Sequence, residues 1–155
     1  MSEFSHVVLS RTADQTAALA QHIGAGLRPG DVLLLEGPVG AGKSHFARAL
    51  ILSLLEVPED VPSPTFTLVQ TYDTPRGEVW HSDLYRLSSP DEVIELGLTE
   101  AFEDAICLVE WPDRLGDLLP EGALRIALSP EGDDIRRITL TGPARWQSLL
   151  EDADV

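Results

Sequence analysis

The chain has 155 residues with 26 acidic and 11 basic side chains, which gives a formal net charge of −15. Such an acidic chain speaks against sequence-independent binding of bare DNA or RNA, because that binding depends on Lys and Arg neutralising phosphates. It permits docking to a basic protein partner, and an acidic surface that simply keeps the protein soluble is an equal alternative. The length and the 43% apolar fraction predict one globular domain over residues 1–155. The sequence has neither a membrane-length apolar run nor a signal-peptide pattern, and Cys107 is its single cysteine. Together these features predict a cytoplasmic protein.

The chain begins with a predicted strand and helix. Residues 6–10 are apolar enough for a short strand, and residues 12–15, Thr-Ala-Asp-Gln, fit a capping box that opens a helix through about Leu27. A Pro-Gly turn follows at residues 28–30, and the apolar residues 32–36 predict a second, buried strand.

A glycine-rich segment, residues 37–44, follows that strand. Its sequence Gly-Pro-Val-Gly-Ala-Gly-Lys-Ser matches the phosphate-binding pattern G-x-x-x-x-G-K-[ST], and a helix-forming stretch comes directly after it. Glycines let backbone N–H groups approach phosphate oxygens, and Lys43, the only lysine of the chain, supplies a charge for the β- and γ-phosphates. Ser44 would offer its hydroxyl to Mg²⁺. The predicted nucleotide-binding residues of this segment are Gly37, Gly40, Ala41, Gly42, Lys43, Ser44 and His45, although packing or surface exposure is the simpler role for His45.

The next stretch combines a proline-rich loop with further strands. Thr65 lies in this loop, where nucleotide hydrolases carry switch segments whose hydroxyls sense the γ-phosphate. The residues alone favour the alternative that Thr65 is an ordinary loop residue.

Helices and strands intermix along the chain, which favours a three-layer α/β domain of the P-loop NTPase type with a mixed parallel and antiparallel central sheet. The remaining predicted elements are a hairpin over 66–72 and 78–83, a helix over 90–96 ended by Gly97, a buried strand over 105–109, a second hairpin over 124–128 and 136–140, and a terminal helix over 144–150.

Two carboxylates follow predicted strands and are candidates for a metal-binding site. Glu110 ends a continuous apolar run, and Asp83 ends a more polar one. One could bind Mg²⁺ while the other orients water, and either could instead be a solvated residue at the end of a strand.

The sequence also bears on the base and on a neighbouring aromatic residue. The usual guanine motif needs an asparagine or threonine, then a lysine, then an aspartate two residues on. The chain has no asparagine and no lysine other than Lys43, so adenine is the expected base. Trp111 covers the site, binds a partner or packs beneath the loop.

Four segments occur in the order and spacing of a known family. They are residues 37–44, SPTFTLV at 63–69, HSDLYRL at 81–87 and ICLVEWP at 106–112. With them the chain resembles TsaE, the bacterial ATPase component of the machinery that makes threonylcarbamoyladenosine in tRNA. The resemblance covers nearly the whole chain, and two departures, Ser44 for a common threonine and Phe66 for a frequent tyrosine, keep the required chemistry.

The resemblance implies slow, Mg²⁺-dependent hydrolysis of ATP. It implies that Ser44 and Glu110 hold the metal, that Thr65 belongs to a switch loop, and that Asp83 acts in catalysis together with Thr65 and Lys43. Thr16 and Arg137 fall near positions that help to bind nucleotide. The implied partner is the TsaB–TsaD pair, which TsaE would drive or reset between rounds of threonylcarbamoyl transfer to adenosine 37.

Two other functions stay open from the residues. A small-molecule kinase would need an acceptor pocket and an arginine-bearing lid, and the central arginines Arg76, Arg86 and Arg114 are scattered along the sequence. The other is a nucleotide-bound scaffold without useful turnover.

Overall fold

The computed structural model describes residues 3–38, 40–62, 68–87 and 89–151. Strands and helices alternate along these ranges, with 3-10 helices at Pro112–Leu118 and Ala144–Trp146. None of the helices in the described part of the chain is both long enough and apolar enough to cross a membrane. The elements are β1 (Glu3–Ser10), α1 (Ala13–Ala25), β2 (Val32–Glu36), α2 (Lys43–Leu54), β3 (Val69–Thr74), β4 (Gly77–Asp83), α3 (Pro90–Glu95), α4 (Leu98–Asp104), β5 (Ile106–Glu110), β6 (Leu124–Pro130), β7 (Arg136–Pro143) and α5 (Gln147–Glu151).

The seven strands form one mixed sheet in the order β1-β7-β6-β2-β5-β4-β3. β2 runs parallel to both β5 and β6, and β4 runs parallel to β5. We call β2, β5 and β4 the parallel core, and the antiparallel strands β6, β7 and β1 the antiparallel wing. Because parallel strands end at the same edge of a sheet, β2, β4 and β5 present their carboxyl ends together; Asp83 and Glu110 are register partners there.

Alternate residues of the parallel core face two separate hydrophobic cores. Leu33 and Leu35 of β2 pack with the core that contains the buried residues of α1 and α2. Val32 and Leu34 pack on the other face, with the buried residues of α3 and α4. A strand that is covered on both faces becomes continuously apolar, as β2 and β5 are. The two cores confirm the predicted three-layer α/β fold with its mixed sheet.

Local signals located the first half of the chain well. The Thr12 hydroxyl accepts a hydrogen bond from the Gln15 N–H at 3.1 Å, so Thr12 caps α1 as predicted, although α1 ends at Ala25 and not at Leu27. β2, α2 and both hairpins also form where they were predicted. The predicted strand 66–72 begins with two residues, 66 and 67, that lie outside the described residues. The described strand begins at Val69.

The sequence-based prediction missed one α-helix and the 3-10 helix Pro112–Leu118, and it simplified another helix. Gly97, predicted only as the end of a helix, has φ +81° and also precedes α4, since a left-handed residue turns the chain between two short helices. The predicted terminal helix begins as a 3-10 turn at Ala144–Trp146 before it continues as α5.

Candidate functional site

The glycine-rich segment connects β2 to the beginning of α2. Gly37 has φ +146°, and a Cβ atom built on it would lie 2.5 Å from the Leu128 carbonyl oxygen, so this turn accepts only glycine. Gly42, at φ +102°, is the residue that precedes α2, and no side chain of the described residues caps the helix there. The first N–H groups of α2 therefore point toward the loop, as in anion-binding sites at helix N-termini.

Lys43 lies almost wholly inside this loop, with 5% of its surface exposed. Its Nζ donates hydrogen bonds to the carbonyl oxygens of Gly37 at 2.5 Å and Pro38 at 3.1 Å. Burial lowers the pKa of Lys43, and the neighbouring charges of Glu110 and Asp83 act in the opposite direction. The only lysine of the chain is therefore largely removed from water, where a positive charge is costly unless anionic groups lie nearby. Glu110 and Asp83 provide such groups.

Glu110, at the end of β5, is the centre of a buried hydrogen-bond network. The Ser44 hydroxyl lies 3.1 Å from Oε1 and 3.2 Å from Oε2 of Glu110, and His81 Nε2 lies 2.7 Å from Oε2. Glu110 and His81 are 2% and 1% exposed, so neither side chain can turn out to solvent without a rearrangement of the sheet edge. Asp83, the register partner of Glu110 on β4, receives a hydrogen bond on Oδ1 from the Tyr85 N–H at 3.0 Å.

The oxygen ligands at this edge of the sheet suit a magnesium ion that is also bound by phosphate, and not a metal ion bound by protein ligands alone. A hydroxyl and a carboxylate within hydrogen-bond distance are hard oxygen ligands, and Mg²⁺ in nucleotide sites uses one or two such groups together with phosphates and water. Among the described residues there is no group of three or more His, Cys, Asp or Glu that could hold a metal ion. Ser44 and Glu110 are therefore the residues that could hold a magnesium ion, provided that a phosphate ligand completes its coordination.

Trp111 covers the charged end of Lys43. The Lys43 Nζ lies 4.2 Å from the centroid of the Trp111 ring, which also packs against Tyr85 at a centroid distance of 4.8 Å. Trp111 has φ +58°, a left-handed conformation that is uncommon for a bulky residue. Its N–H donates to the Leu35 carbonyl at 3.3 Å, which ties this strained residue to β2. Of the three roles left open for Trp111, its position corresponds to covering the site.

Two cavities meet at the glycine-rich segment. The larger has a volume of about 470 Å³, within the range of small-molecule sites. The smaller, of about 110 Å³, shares Gly42 and His45 with it and is also lined by Thr16 and Arg136. The larger cavity is lined by Gly40, Gly42, Lys43, Ser44, His45, Asp83, Tyr85, Arg86, Glu110 and Trp111.

Most of the predicted site residues are brought together by this arrangement. Lys43, Ser44, Asp83, Glu110 and His45 line the larger cavity with Gly40 and Gly42, and the Gly37 carbonyl contacts Lys43. The Ala41 carbonyl accepts a hydrogen bond from Arg136 Nε at 2.9 Å. Thr16 lines the smaller cavity, with its hydroxyl 2.6 Å from that of Ser10.

Two predicted residues are not seen at the cavities. Thr65 lies outside the described residues. Arg137 is exposed and pairs with Glu131, so it does not line either cavity; the neighbouring Arg136 does. Side chains alternate across β7, and a shift of one position therefore moves a side chain to the opposite face of the strand.

Sequence reasoning also missed four residues of the site, which are His81, Tyr85, Arg86 and Arg136. For His81 a signal was present, because it lies two positions before Asp83 in a predicted strand and hence on the same face. Arg86 and Arg136 had no comparable local signal, since their places depend on a turn and on a strand pairing across the sheet.

Known proteins resemble this chain in sequence and in fold. A family model described as "Threonylcarbamoyl adenosine biosynthesis protein TsaE" matches residues 10–138. The chain is 36% identical over 141 residues to the tRNA threonylcarbamoyladenosine biosynthesis protein TsaE of Rickettsia bellii, covering 91% of this chain and 98% of that protein. It is 39% identical over 141 residues to the protein of the same name from Bacillus subtilis, covering 90% and 87% of the two chains. The crystal structure of YdiB from Bacillus subtilis matches with a TM-score of 0.79 and 32% identity, covering 99% of this chain and 96% of that one.

Proposed function

The chain belongs to the TsaE family of threonylcarbamoyladenosine biosynthesis, and from that membership we propose that it is a Mg²⁺-dependent ATPase that drives or resets a TsaB–TsaD complex during modification of adenosine 37 in tRNA. One observation carries the proposal. The only lysine, a serine and two buried carboxylates converge on one cavity at the beginning of α2. Stability alone does not account for that convergence, since each buried charge costs free energy that a well-packed apolar residue would not.

The loop and Lys43 supply the phosphate-binding half of the site. Backbone N–H groups of residues 40–44 and the N-terminal end of α2 would face the phosphates, as in other glycine loops that precede helices. In the described structure the Lys43 ammonium is held by two carbonyl oxygens of its own loop. Phosphate oxygens are stronger acceptors for an ammonium group, so nucleotide would draw Lys43 away from Gly37 and Pro38.

The two carboxylates, Glu110 and Asp83, have different proposed roles. Bound magnesium would neutralise charge on the β- and γ-phosphates as they react. Ser44 and Glu110 would hold it, because their oxygens lie together. Asp83 would orient the attacking water and accept its proton, since its Oδ1 is fixed by the Tyr85 N–H and its side chain lines the same cavity.

The smaller cavity suits the other end of the nucleotide. It adjoins the glycine segment through Gly42 and His45, and Thr16 and Arg136 form part of its lining. We assign it to the nucleoside, with adenine as the base. Arg136 would act indirectly, since its Nε holds the Ala41 carbonyl and so fixes the loop between the two cavities.

The output of the reaction would be a conformational change in a protein partner. Thr65 would belong to the segment that responds to the γ-phosphate, and threonylcarbamoyl transfer would take place on TsaB–TsaD. The net charge of −15 suits a basic protein surface better than tRNA itself. We place this activity in the cytoplasm. The kinase alternative gains nothing from the structure: among the described residues that line the larger cavity Arg86 is the one arginine, and Arg76 binds the Leu27 carbonyl elsewhere.

Reconstitution tests the proposal. The purified chain should bind ATP and ADP in Mg²⁺ buffer, hydrolyse ATP slowly alone and faster with TsaB–TsaD, and allow that pair to modify more than one tRNA per complex. Lys43→Met should abolish all three properties, while Arg145→Met, which removes a half-exposed side chain that pairs with Asp31 and lines neither cavity, should leave them intact. Failure of the wild-type chain to bind either nucleotide would refute the proposal.

A further inference from the structure

His81 is a buried side chain to which the proposed reaction assigns no role. It lies on β4, two residues before Asp83 and therefore on the same face of the sheet. We propose that His81 is a positioning residue, whose Nε2–H holds the Glu110 carboxylate in the orientation in which Glu110 and Ser44 bind magnesium. The inference rests on the proposed function and concerns only how the metal-binding carboxylate is kept in place.

The contacts of Glu110 show why a positioning residue is needed. Ser44 Oγ lies nearly equidistant from the two carboxylate oxygens, at 3.1 and 3.2 Å, whereas His81 Nε2 contacts only Oε2, at 2.7 Å. Ser44 is itself a proposed magnesium ligand, so its hydrogen bond to Glu110 would be exchanged when both oxygens turn to the metal. Among the described residues, His81 is then the side-chain donor that continues to hold the carboxylate.

The other ring nitrogen of His81 indicates where the proton lies. His81 Nδ1 is buried and has no hydrogen-bond partner among the residues that the structure describes. A proton on Nδ1 would leave a buried N–H without an acceptor, which costs about 1–3 kcal/mol. A proton on Nε2 instead donates to Glu110 and leaves only an unpaired lone pair at Nδ1. The geometry thus makes His81 a donor to Glu110 by a tautomer that its own burial selects.

A purely structural role accounts less well for His81. Its backbone register partner on β5, Leu108, is fully buried and apolar, as are Val79 and Ile106 on the same face. An apolar residue at position 81 would therefore continue this core without an unpaired ring nitrogen. Such a residue would, however, leave the buried Glu110 carboxylate without this partner, and removing one member of a buried pair is destabilising. We therefore attribute the histidine to the carboxylate that it holds.

Two substitutions of similar polarity separate positioning from packing. The glutamine amide in His81→Gln reaches about as far as Nε2 and can donate to Glu110, whereas the asparagine amide in His81→Asn ends near Nδ1 and cannot. Isothermal titration calorimetry would measure the dissociation constant of ADP in Mg²⁺ and in EDTA for wild type and both variants. The readout is the ratio of the two constants, which reports how strongly metal strengthens nucleotide binding.

We expect His81→Asn to lower this ratio about 10-fold, the lower end of what outer hydrogen-bond partners of a metal site contribute. His81→Gln should stay within about twofold of wild type, and ADP binding in EDTA should be unchanged in both. Equal ratios for His81→Asn and wild type would overturn the inference, as would a wild-type affinity that does not depend on Mg²⁺. A wild-type chain that binds no ADP in either buffer would instead refute the proposed function, and this inference with it. Thermal unfolding of each variant confirms that the folded protein is compared.

Discussion

Charged side chains occupy two contrasting settings in this molecule. On the antiparallel wing they form an exposed pair: Arg137 contacts Glu131, with the two side chains 51% and 36% exposed. Such pairs contribute roughly 0–1 kcal/mol to folding, because water and salt screen them and both side chains lose conformational freedom.

At the carboxyl edge of the parallel core the same kinds of group are buried. Lys43, Asp83 and Glu110 are at most 6% exposed, with His81 beneath them. Removing an ion from water costs several kcal/mol, which pairing only partly returns. The wing therefore carries charge for solubility, whereas the edge of the parallel core keeps charge at a cost to folding, as functional sites do.

The largest effect that follows from this contrast is expected for Glu110→Gln. Glutamine keeps the size of the side chain and can still accept from His81, but it lacks the negative charge that a metal ligand needs. We expect ATP hydrolysis to fall about 1,000-fold, the upper end for removal of one electrostatic group from an active site. Steady-state phosphate release, with and without the protein partners, measures this loss.

The matched control is Glu131→Gln on the wing. It makes the same chemical change in an exposed pair and should leave hydrolysis within about twofold of wild type, with less than about 1 kcal/mol lost in the free energy of unfolding. Equal losses of activity in the two variants would mean that the contrast between the regions is unrelated to function.

Asp83→Asn should have the next largest effect. Loss of a group that takes a proton from water lowers hydrolysis about 100-fold. Because Glu110 and not Asp83 is assigned to the metal, Mg²⁺ should still strengthen ADP binding as it does in wild type. Calorimetry with Mg²⁺ and with EDTA checks this separation. If Asp83→Asn abolished the effect of Mg²⁺ and Glu110→Gln preserved it, the two roles would be exchanged.

Local patterns predicted the elements of the fold but not their arrangement. The strand, loop and helix over residues 32–54 follow from an apolar run, closely spaced glycines and a helix-forming stretch. α4, at seven residues, was missed because it is too short for a helical period to be recognised next to Gly97. The placement of β2 between β5 and β6 depends on pairings about 70 to 90 positions apart, which no local pattern encodes.

The candidate site shows the same division. Lys43 and Ser44 were predicted because they complete the glycine-rich phosphate-binding pattern, and Glu110 was predicted because an acid ends a continuous apolar strand. The hydrogen bond from His81 to Glu110 could not be predicted, since it depends on the parallel register that brings β4 beside β5. The register of β7 likewise places Arg136 rather than Arg137 against the glycine segment.

The buried thiol of Cys107 is a further test of the parallel core, because burial makes the stability of the protein depend on pH. It is fully buried on β5, and burial, helped by the charge of Glu78, raises the pKa of its thiol from 9.0 to about 12. Between these values the folded protein keeps a proton that the unfolded chain loses, so the stability conferred by this group declines as pH rises from about 9. Urea unfolding should show Cys107→Ala to be less stable at pH 7, with a gap that narrows by about 1 kcal/mol at pH 10. A gap that stays constant would contradict the raised pKa.

The smallest effect is expected for Arg137→Ala, on the exposed side of the wing. Arg137 contacts Glu131 and neither cavity, so ADP affinity should change less than about twofold and the free energy of unfolding by less than about 1 kcal/mol. Arg136→Ala is the comparison that gives this result meaning. It removes a charged donor from the Ala41 carbonyl, and a hydrogen bond of that kind is worth about 1.5–3 kcal/mol, so ADP should bind about 10-fold more weakly. If Arg137→Ala weakened ADP binding and Arg136→Ala did not, the nucleotide-binding position predicted from the family resemblance would be correct, and the wing would contribute to the site through its exposed face.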